Sequence, residues 1–222
     1  MDTFSVSDPE VHVYVKTGKQ SAYALLGKTE MVLNNLNPDF VKTFTLDYYF
    51  EKEQWIKFEV YDVDTTELEH IGDCETTVAK IMASKGQSFL SDLTLPKKTA
   101  SRGKIIVRAD SVAQSNHEIS FRVTANINRP KCGCLCECIC CTDNPYLLIS
   151  RARRGDNLAN EYIRVFSTKH LAGSTLPNFG NILLKTQQLC NSDMNLNVKF
   201  ELCNYRTSGT HPSYGHVIIT AA

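Results

Sequence analysis

The sequence predicts an all-β chain of two tandem antiparallel sandwiches, and three observations carry that prediction. Short alternating apolar segments recur about every ten residues, separated by Gly, Pro and Asn turns. The 222 residues leave room for one large domain or two of about 110 residues each. Four segments of the first half also return in the same order in the second, offset by roughly 140 residues, which marks an internal duplication.

Taken in order, Ser7-Asp8-Pro9 is a turn that opens an alternating strand, Val11 to Val15, ending near Gly18. Leu25 to Val32 reads as a second strand and Asn34-Asn35-Leu36-Asn37-Pro38 as a turn. Phe40 to Tyr49 alternates again and predicts a strand. Trp55 to Tyr61 predicts another, with Ile56, Phe58 and Val60 on one face and Lys57, Glu59 and Tyr61 on the other. Val78, Ile81 and Met82 at helical spacing predict a short helix over Thr76 to Ser84, and Gly103 to Ala109 closes the first half as a strand.

After a polar joint at Gln114 to His117, Glu118 to Val123 opens the second half. Ser7-Asp8-Pro9 returns as Thr142-Asp143-Asn144-Pro145, followed by a strand from Tyr146 to Ile149. Leu36-Asn37-Pro38-Asp39-Phe40 returns as Leu176-Pro177-Asn178-Phe179, and His70-Ile71-Gly72 as Ser213-Tyr214-Gly215. Lys57-Phe58-Glu59-Val60-Tyr61-Asp62-Val63-Asp64 returns as Lys199-Phe200-Glu201-Leu202-Cys203-Asn204-Tyr205-Arg206. The expected domains are 1–112 and 113–222.

Composition narrows the function. Hydrophobic residues at 42% and charged residues at 22% are those of an ordinary globular protein. Lys+Arg and Asp+Glu both number 24, so the balanced charge argues against nucleic acid as a general partner. No apolar run approaches the roughly 20 residues of a membrane span. The opening Met1-Asp2-Thr3-Phe4-Ser5 lacks the cationic and apolar regions of a secretory signal, and Asp2 excludes the usual N-myristoylation start. A cytoplasmic protein is expected. No His pairs recognisably with a Cys or Ser and an acid, and no glycine-rich phosphate loop is present, so an enzyme is not expected.

The chemistry-bearing pattern is acidic. Asp62 and Asp64 project the same way from the end of a strand, and like charges that close cost free energy unless a cation lies between them. Asp2 and Asp8 flank a loop entering another strand, and Glu69 precedes Gly72. If these loops share one end of the sandwich, the five carboxylates offer a hard, oxygen-only donor set that suits calcium. The competing reading is that turns are simply rich in Asp. In the second half the matching positions are Asn204, Arg206 and Pro212, with Asp143 the surviving acid and Glu137 an ambiguous companion. That half is expected not to bind calcium, and to be structural or a partner- or lipid-binding surface.

These residues resemble a known family. Ser7-Asp8-Pro9, Gly27-Lys28-Thr29-Glu30, Asn34-Asn35-Leu36-Asn37-Pro38, Asp47-Tyr48-Tyr49-Phe50-Glu51 and Phe58-Glu59-Val60-Tyr61-Asp62-Val63-Asp64 are similar to the first C2 domain of copines. Ser120-Phe121, Asp143-Asn144-Pro145-Tyr146-Leu147 and Leu189-Cys190-Asn191-Ser192-Asp193 are similar to their second C2 domain. The resemblance implies calcium as cofactor, with Asp2, Asp8, Asp62, Asp64 and Glu69 as ligands. It also implies an anionic phospholipid membrane as partner, reached by calcium-driven recruitment from the cytoplasm. Phe4, beside Asp2, is expected either to enter the lipid interface or to pack in the core. Against the family pattern, the von Willebrand A-type domain is absent from these 222 residues, and each sandwich is expected to lack a terminal strand. A calcium-independent protein-interaction scaffold is the alternative function.

Six of nine cysteines, Cys132, Cys134, Cys136, Cys138, Cys140 and Cys141, fall in one run within 131–142, at the second domain's first tip loop. A disulfide framework fits poorly, because Cys140 and Cys141 are adjacent and the compartment is reducing. Thiolate metal binding, S-acylation and a reduced insertion are the three readings. Arg151, Arg153 and Arg154 read as a solvated edge or a contact for lipid headgroups or RNA.

Overall fold

A computed structural model describes residues 7–63, 68–95, 101–112, 115–128, 143–153 and 161–222. The chain divides into two compact units, Met1–Ser111 and Val112–Ala222. Both are antiparallel β-sandwiches.

In the first unit, β1 (Pro9–Thr17), β2 (Ala24–Lys28), β3 (Gln54–Val63) and β4 (Leu68–Thr77) form an antiparallel sheet in the order β2-β1-β3-β4. Val11, Val13, Ile56, Phe58 and Val60 alternate onto its inner face and are buried. A second layer covers them: α1 (Val78–Ala83) with β5 (Ser88–Asp92) and β6 (Lys104–Arg108), through Val78, Ile81, Phe89, Leu93, Ile105 and Val107. Thr77 caps α1 by accepting the Lys80 N–H on its side chain, so the helix begins at Val78 and not at Thr76.

The expected strand over Phe40 to Tyr49 does not form, although Phe40, Phe44 and Leu46 still pack against the core. The duplicate supplies the reason. There the matching segment, β10 (Asn178–Lys185), is a strand because β7 (Glu118–Thr124) pairs with it along its length. Among the described residues of the first unit, no strand lies beside 40–49, so its alternation buries side chains without a ladder.

The second unit repeats the plan, with β8 (Pro145–Ala152), β9 (Tyr162–Ser167), β11 (Val198–Asn204) and β12 (Ser213–Ile219) in the order β12-β11-β8-β9. The β7–β10 pair and α2 (Thr186–Cys190) cover its core of Leu147, Ile149, Val165, Ile182, Leu184, Leu189 and Val198. The duplication extends to irregularities. The β1–β2 ladder shifts register after Val13 and the β8–β9 ladder after Ile149. The β3–β4 ladder shifts after Val60 and the β11–β12 ladder after Leu202. Such bulges bend and twist the strand locally, so both sheets inherit the same curvature at the same points. The outer face carries a repeated ion pair as well: Lys57 to Glu59 at 2.7 Å, and Lys199 to Glu201 at 3.0 Å.

Candidate metal centre

The site is built where β1 begins and β3 ends. Pro9, whose missing N–H suits the first residue of a strand, stands opposite Asp62, and Asp62 stands opposite Glu69 on β4. One ladder step therefore gathers the ends of three adjacent strands. Asp8 lies just outside the ladder and is pinned there, because its carbonyl accepts the Val63 N–H at 3.1 Å.

The two aspartates are oriented by backbone donors. Asp62 Oδ1 accepts the Asp8 N–H at 2.7 Å, and Asp8 Oδ1 accepts the Asn34 N–H at 2.6 Å. Asn34 sits in the left-handed region, with φ of 50°, which asparagine tolerates better than most residues. That conformation turns its N–H toward Asp8. Both carboxylates are half-buried, while Glu69 is exposed. The structure thus brings Asp8, Asp62 and Glu69 to one tip. Asp2, Asp64 and Phe4 lie outside the described residues. Among the described residues, no group of three or more His, Cys, Asp or Glu side chains is gathered closely enough to hold a metal ion.

The second unit reproduces this arrangement bond for bond and changes the residue types. Asn204 Oδ1 accepts the Asn144 N–H at 3.0 Å, Asn144 Oδ1 accepts the Gly173 N–H at 3.2 Å, and the Asn144 carbonyl accepts the Tyr205 N–H at 2.8 Å. Pro145 stands opposite Asn204, and Gly173, like Asn34, is left-handed. Asn144 therefore occupies the place of Asp8, and Asn204 that of Asp62. The Asn204 N–H donates to the carbonyl of Pro212, which stands where Glu69 stands.

This corrects the alignment of Asp143 with Asp8 as the surviving acid of the second half. Asp143 aligns with Ser7, is buried, and accepts a hydrogen bond from the Tyr214 hydroxyl. The proline sets the register, and it puts an amide in the ligand position. An asparagine side-chain oxygen accepts the same N–H as a carboxylate but carries no charge. The scaffold is kept and the electrostatics are removed.

Sequence reasoning missed Asn34 and Gly173 as the donors that aim these side chains. The signal that finds them is the Asn or Gly at a tight turn four residues before Pro38 and Pro177. Arg153 is another correction. It is buried and pairs with Glu161 at 3.0 Å, so it is no solvated edge. Arg151 lies within β8, and Arg154 and the six cysteines from Cys132 to Cys141 lie outside the described residues.

On the outer face of β3, burial raises the Glu59 pKa, but hydrogen bonds from Lys57 and Tyr61 outweigh it and hold the carboxyl below its usual range. The Tyr61 hydroxyl, buried and bonded to Glu59 at 2.9 Å, is pushed up to about 12. These groups stay ionised and protonated respectively at neutral pH and form a structural lattice beside the tip.

The family model for the C2 domain matches residues 1–93. Among curated proteins, Copine-A of Dictyostelium discoideum is 32% identical over 218 residues, covering 96% of this chain and 34% of that protein. Copine-E of the same organism is 30% identical over 221 residues, covering 97% and 36%. The chain thus spans about a third of the length of the curated relatives it matches. Among solved structures, the calcium-bound tandem C2 domains of extended-synaptotagmin 2 match at 14% identity with a TM-score of 0.34, covering 96% of this chain and 73% of that one.

Proposed function

The chain is a homologue of the copines, and from that kinship and the geometry of its first tip we propose a calcium-dependent module that binds anionic phospholipid surfaces. The observation that carries the reading is the Asp8–Asp62 pair. Two half-buried carboxylates at one strand end each accept a backbone N–H, where the internal copy has two amides. Gathering like charges at one strand end is unfavourable without a counter-ion, and the copy makes the same hydrogen bonds with neutral side chains.

Asp8 and Asp62 supply hard oxygen donors of the kind calcium takes, and Glu69, Asp2 and Asp64 are assigned as further ligands on the same tip. Calcium bound there supplies positive charge and coordination positions that a lipid phosphate or carboxylate can fill. Without it, the acidic tip repels an anionic membrane. The change is an electrostatic switch with no chemical step, so no catalytic residue is assigned. Recruitment from the cytoplasm to membranes on a rise in calcium follows from this reading. Phe4 is assigned as an apolar contact beside Asp2.

The alternative, a calcium-independent protein-interaction scaffold, is favoured by one observation, the uncharged Asn144–Asn204 tip of the second unit. Titration calorimetry with calcium separates the two. The membrane module gives binding heat, and Asp62→Asn with Asp64→Asn abolishes calcium-dependent sedimentation with phosphatidylserine vesicles. No heat, or unchanged sedimentation of the variant, refutes the reading.

A further inference from the structure

The two tips share a scaffold and differ in the sign of their charge. At the second tip the exposed residues include Lys169, His170 and Arg206. None of these three has an ion pair among the described residues. The acid nearest in sequence to the amide pair, Asp143, is buried and engaged by Tyr214. Arg206 stands two residues beyond Asn204, where the first unit has Asp64 two residues beyond Asp62.

Lys169, His170 and Arg206 sit in a built surface. Tyr205, whose N–H is tied to the Asn144 carbonyl, stacks with the His170 ring at 4.3 Å and 3° and with the His211 ring at 5.1 Å and 21°. His211 Nδ1 accepts the Arg206 N–H at 3.1 Å, and its ring meets Tyr146 edge-on at 5.6 Å. Lys169 follows Thr168, which exchanges two hydrogen bonds with Leu147. In the same β9–β10 connection Leu176 is 67% exposed, on a turn fixed by the Thr175 and Pro177 carbonyls accepting the Ile127 and Ala125 N–H groups. Exposed Lys169 and Arg206, with an exposed leucine in the same connection as Lys169, complement a surface that is anionic outside and apolar beneath.

We propose that the second tip is a calcium-independent contact for an anionic lipid surface, with Arg206, Lys169 and His170 meeting headgroups and Leu176 entering the interface. The inference rests on the reading of the chain as a membrane-binding module but not on calcium. The chain then carries two lipid contacts of opposite logic: one acidic and switched by an ion, one basic and always available. The second holds the molecule near the membrane and raises the effective concentration of the first.

The test uses the full 222-residue chain in EGTA, with vesicles of phosphatidylserine and phosphatidylcholine and with vesicles of phosphatidylcholine alone. The wild type is expected to bind the mixed vesicles weakly and in a salt-dependent manner, and the neutral ones far less. Each charge removed weakens binding about fivefold, so Arg206→Gln with Lys169→Gln weakens it about 25-fold. Leu176→Ser weakens it further, with the circular dichroism spectrum unchanged. No binding in EGTA, equal binding to neutral vesicles, or a double variant that binds like wild type overturns the proposal. The calcium reading has its own arm: Asp8→Asn with Asp62→Asn must lose only the calcium-dependent increment. Failure of that arm leaves the basic tip standing, and failure of the EGTA arm leaves the calcium switch standing.

Discussion

Replacing Asp8 and Asp62 together by asparagine makes the first tip a copy of the second, and the structure fixes what should follow. Both side-chain oxygens remain acceptors, so the Asp8 N–H and Asn34 N–H keep their partners. A hydrogen bond to a charged acceptor contributes about 1.5–3 kcal/mol and one to a neutral acceptor about 0.5–1.5, so two such bonds weaken by about 2–3 kcal/mol in total. Against this, the repulsion between neighbouring carboxylates disappears. For unit charges about 4 Å apart, such repulsion is about 1 kcal/mol at water's dielectric constant and about 4 at an effective value of about 20. The terms nearly cancel. Without calcium, the variant should match the wild type within about 2 kcal/mol. With calcium at about a hundred times its dissociation constant, the wild type gains about 2.7 kcal/mol, roughly 10 °C in the first unit's Tm at about 4 °C per kcal/mol. The variant should gain nothing. Differential scanning calorimetry with and without calcium reads both quantities, and the second unit's transition serves as an internal reference. A variant still stabilised by calcium refutes the ligand assignment. A variant that loses several kcal/mol without calcium shows instead that the charges hold the fold.

The reverse exchange, Asn144→Asp with Asn204→Asp, should not create a calcium site, because Arg206 and Pro212 remain; a calcium-dependent rise in the second unit's Tm would contradict this. Burial raises the pKa of both Glu59 and Glu201, but hydrogen bonds, first among them those from Lys57 and Lys199, hold both below the usual 4.5. Their stabilisation is present above that value and is lost as pH falls through the depressed folded values. Urea midpoints should therefore drop for both units between about pH 5 and about pH 3, and Lys57→Met should flatten the drop in the first unit alone. A Cβ on Gly72 would lie 3.2 Å from Leu93 Cβ and 3.3 Å from the Thr94 backbone, whereas Gly215, its counterpart, has nothing within 4 Å but a φ of +147°. Gly72→Ala should cost about 1–3 kcal/mol by overpacking and loosen the Asp73–Thr94 bridge; hydrogen exchange at those two amides checks it.

The strands legible in the sequence are those whose inner face is made of large apolar residues. Ile56, Phe58 and Val60 announce β3 as Val11, Val13 and Val15 announce β1. Strand β4 is hidden because its buried positions are Gly72, Cys74 and Thr76, which carry no hydrophobic period; Gly72 is small because Leu93 and Thr94 lie against it. The alternation of Phe40, Phe44 and Leu46 is real and misleads for the opposite reason: it reports burial, and a strand also needs a partner. At the tip, the contrast between Asp62 and Asn204 is legible from the repeat. The Asp143 assignment fails because it matches residue type before register, and a proline's place at the head of a strand decides register more firmly than a shared carboxylate.

The shared bulges and ladders of the two sheets carry a consequence for how this chain reaches its native state. Strands β3 and β11 both contain Lys-Phe-Glu and present the same register to a partner that begins with proline. In register and shape, β11 offers a strand such as β1 almost the same template as β3 does, and β3 offers the same to β8. A cross-paired intermediate would be in register, hydrogen-bonded and wrong. What tells the strands apart is the remainder of each segment. Val-Tyr-Asp in β3 stands against Leu-Cys-Asn in β11. Tyr61 faces Glu10 with the His12 ring beside it, whereas Cys203 faces Tyr146. The divergence that separated the two tips in charge thus also gives each pair of strands cross-strand contacts of its own, which a cross-paired sheet would forfeit.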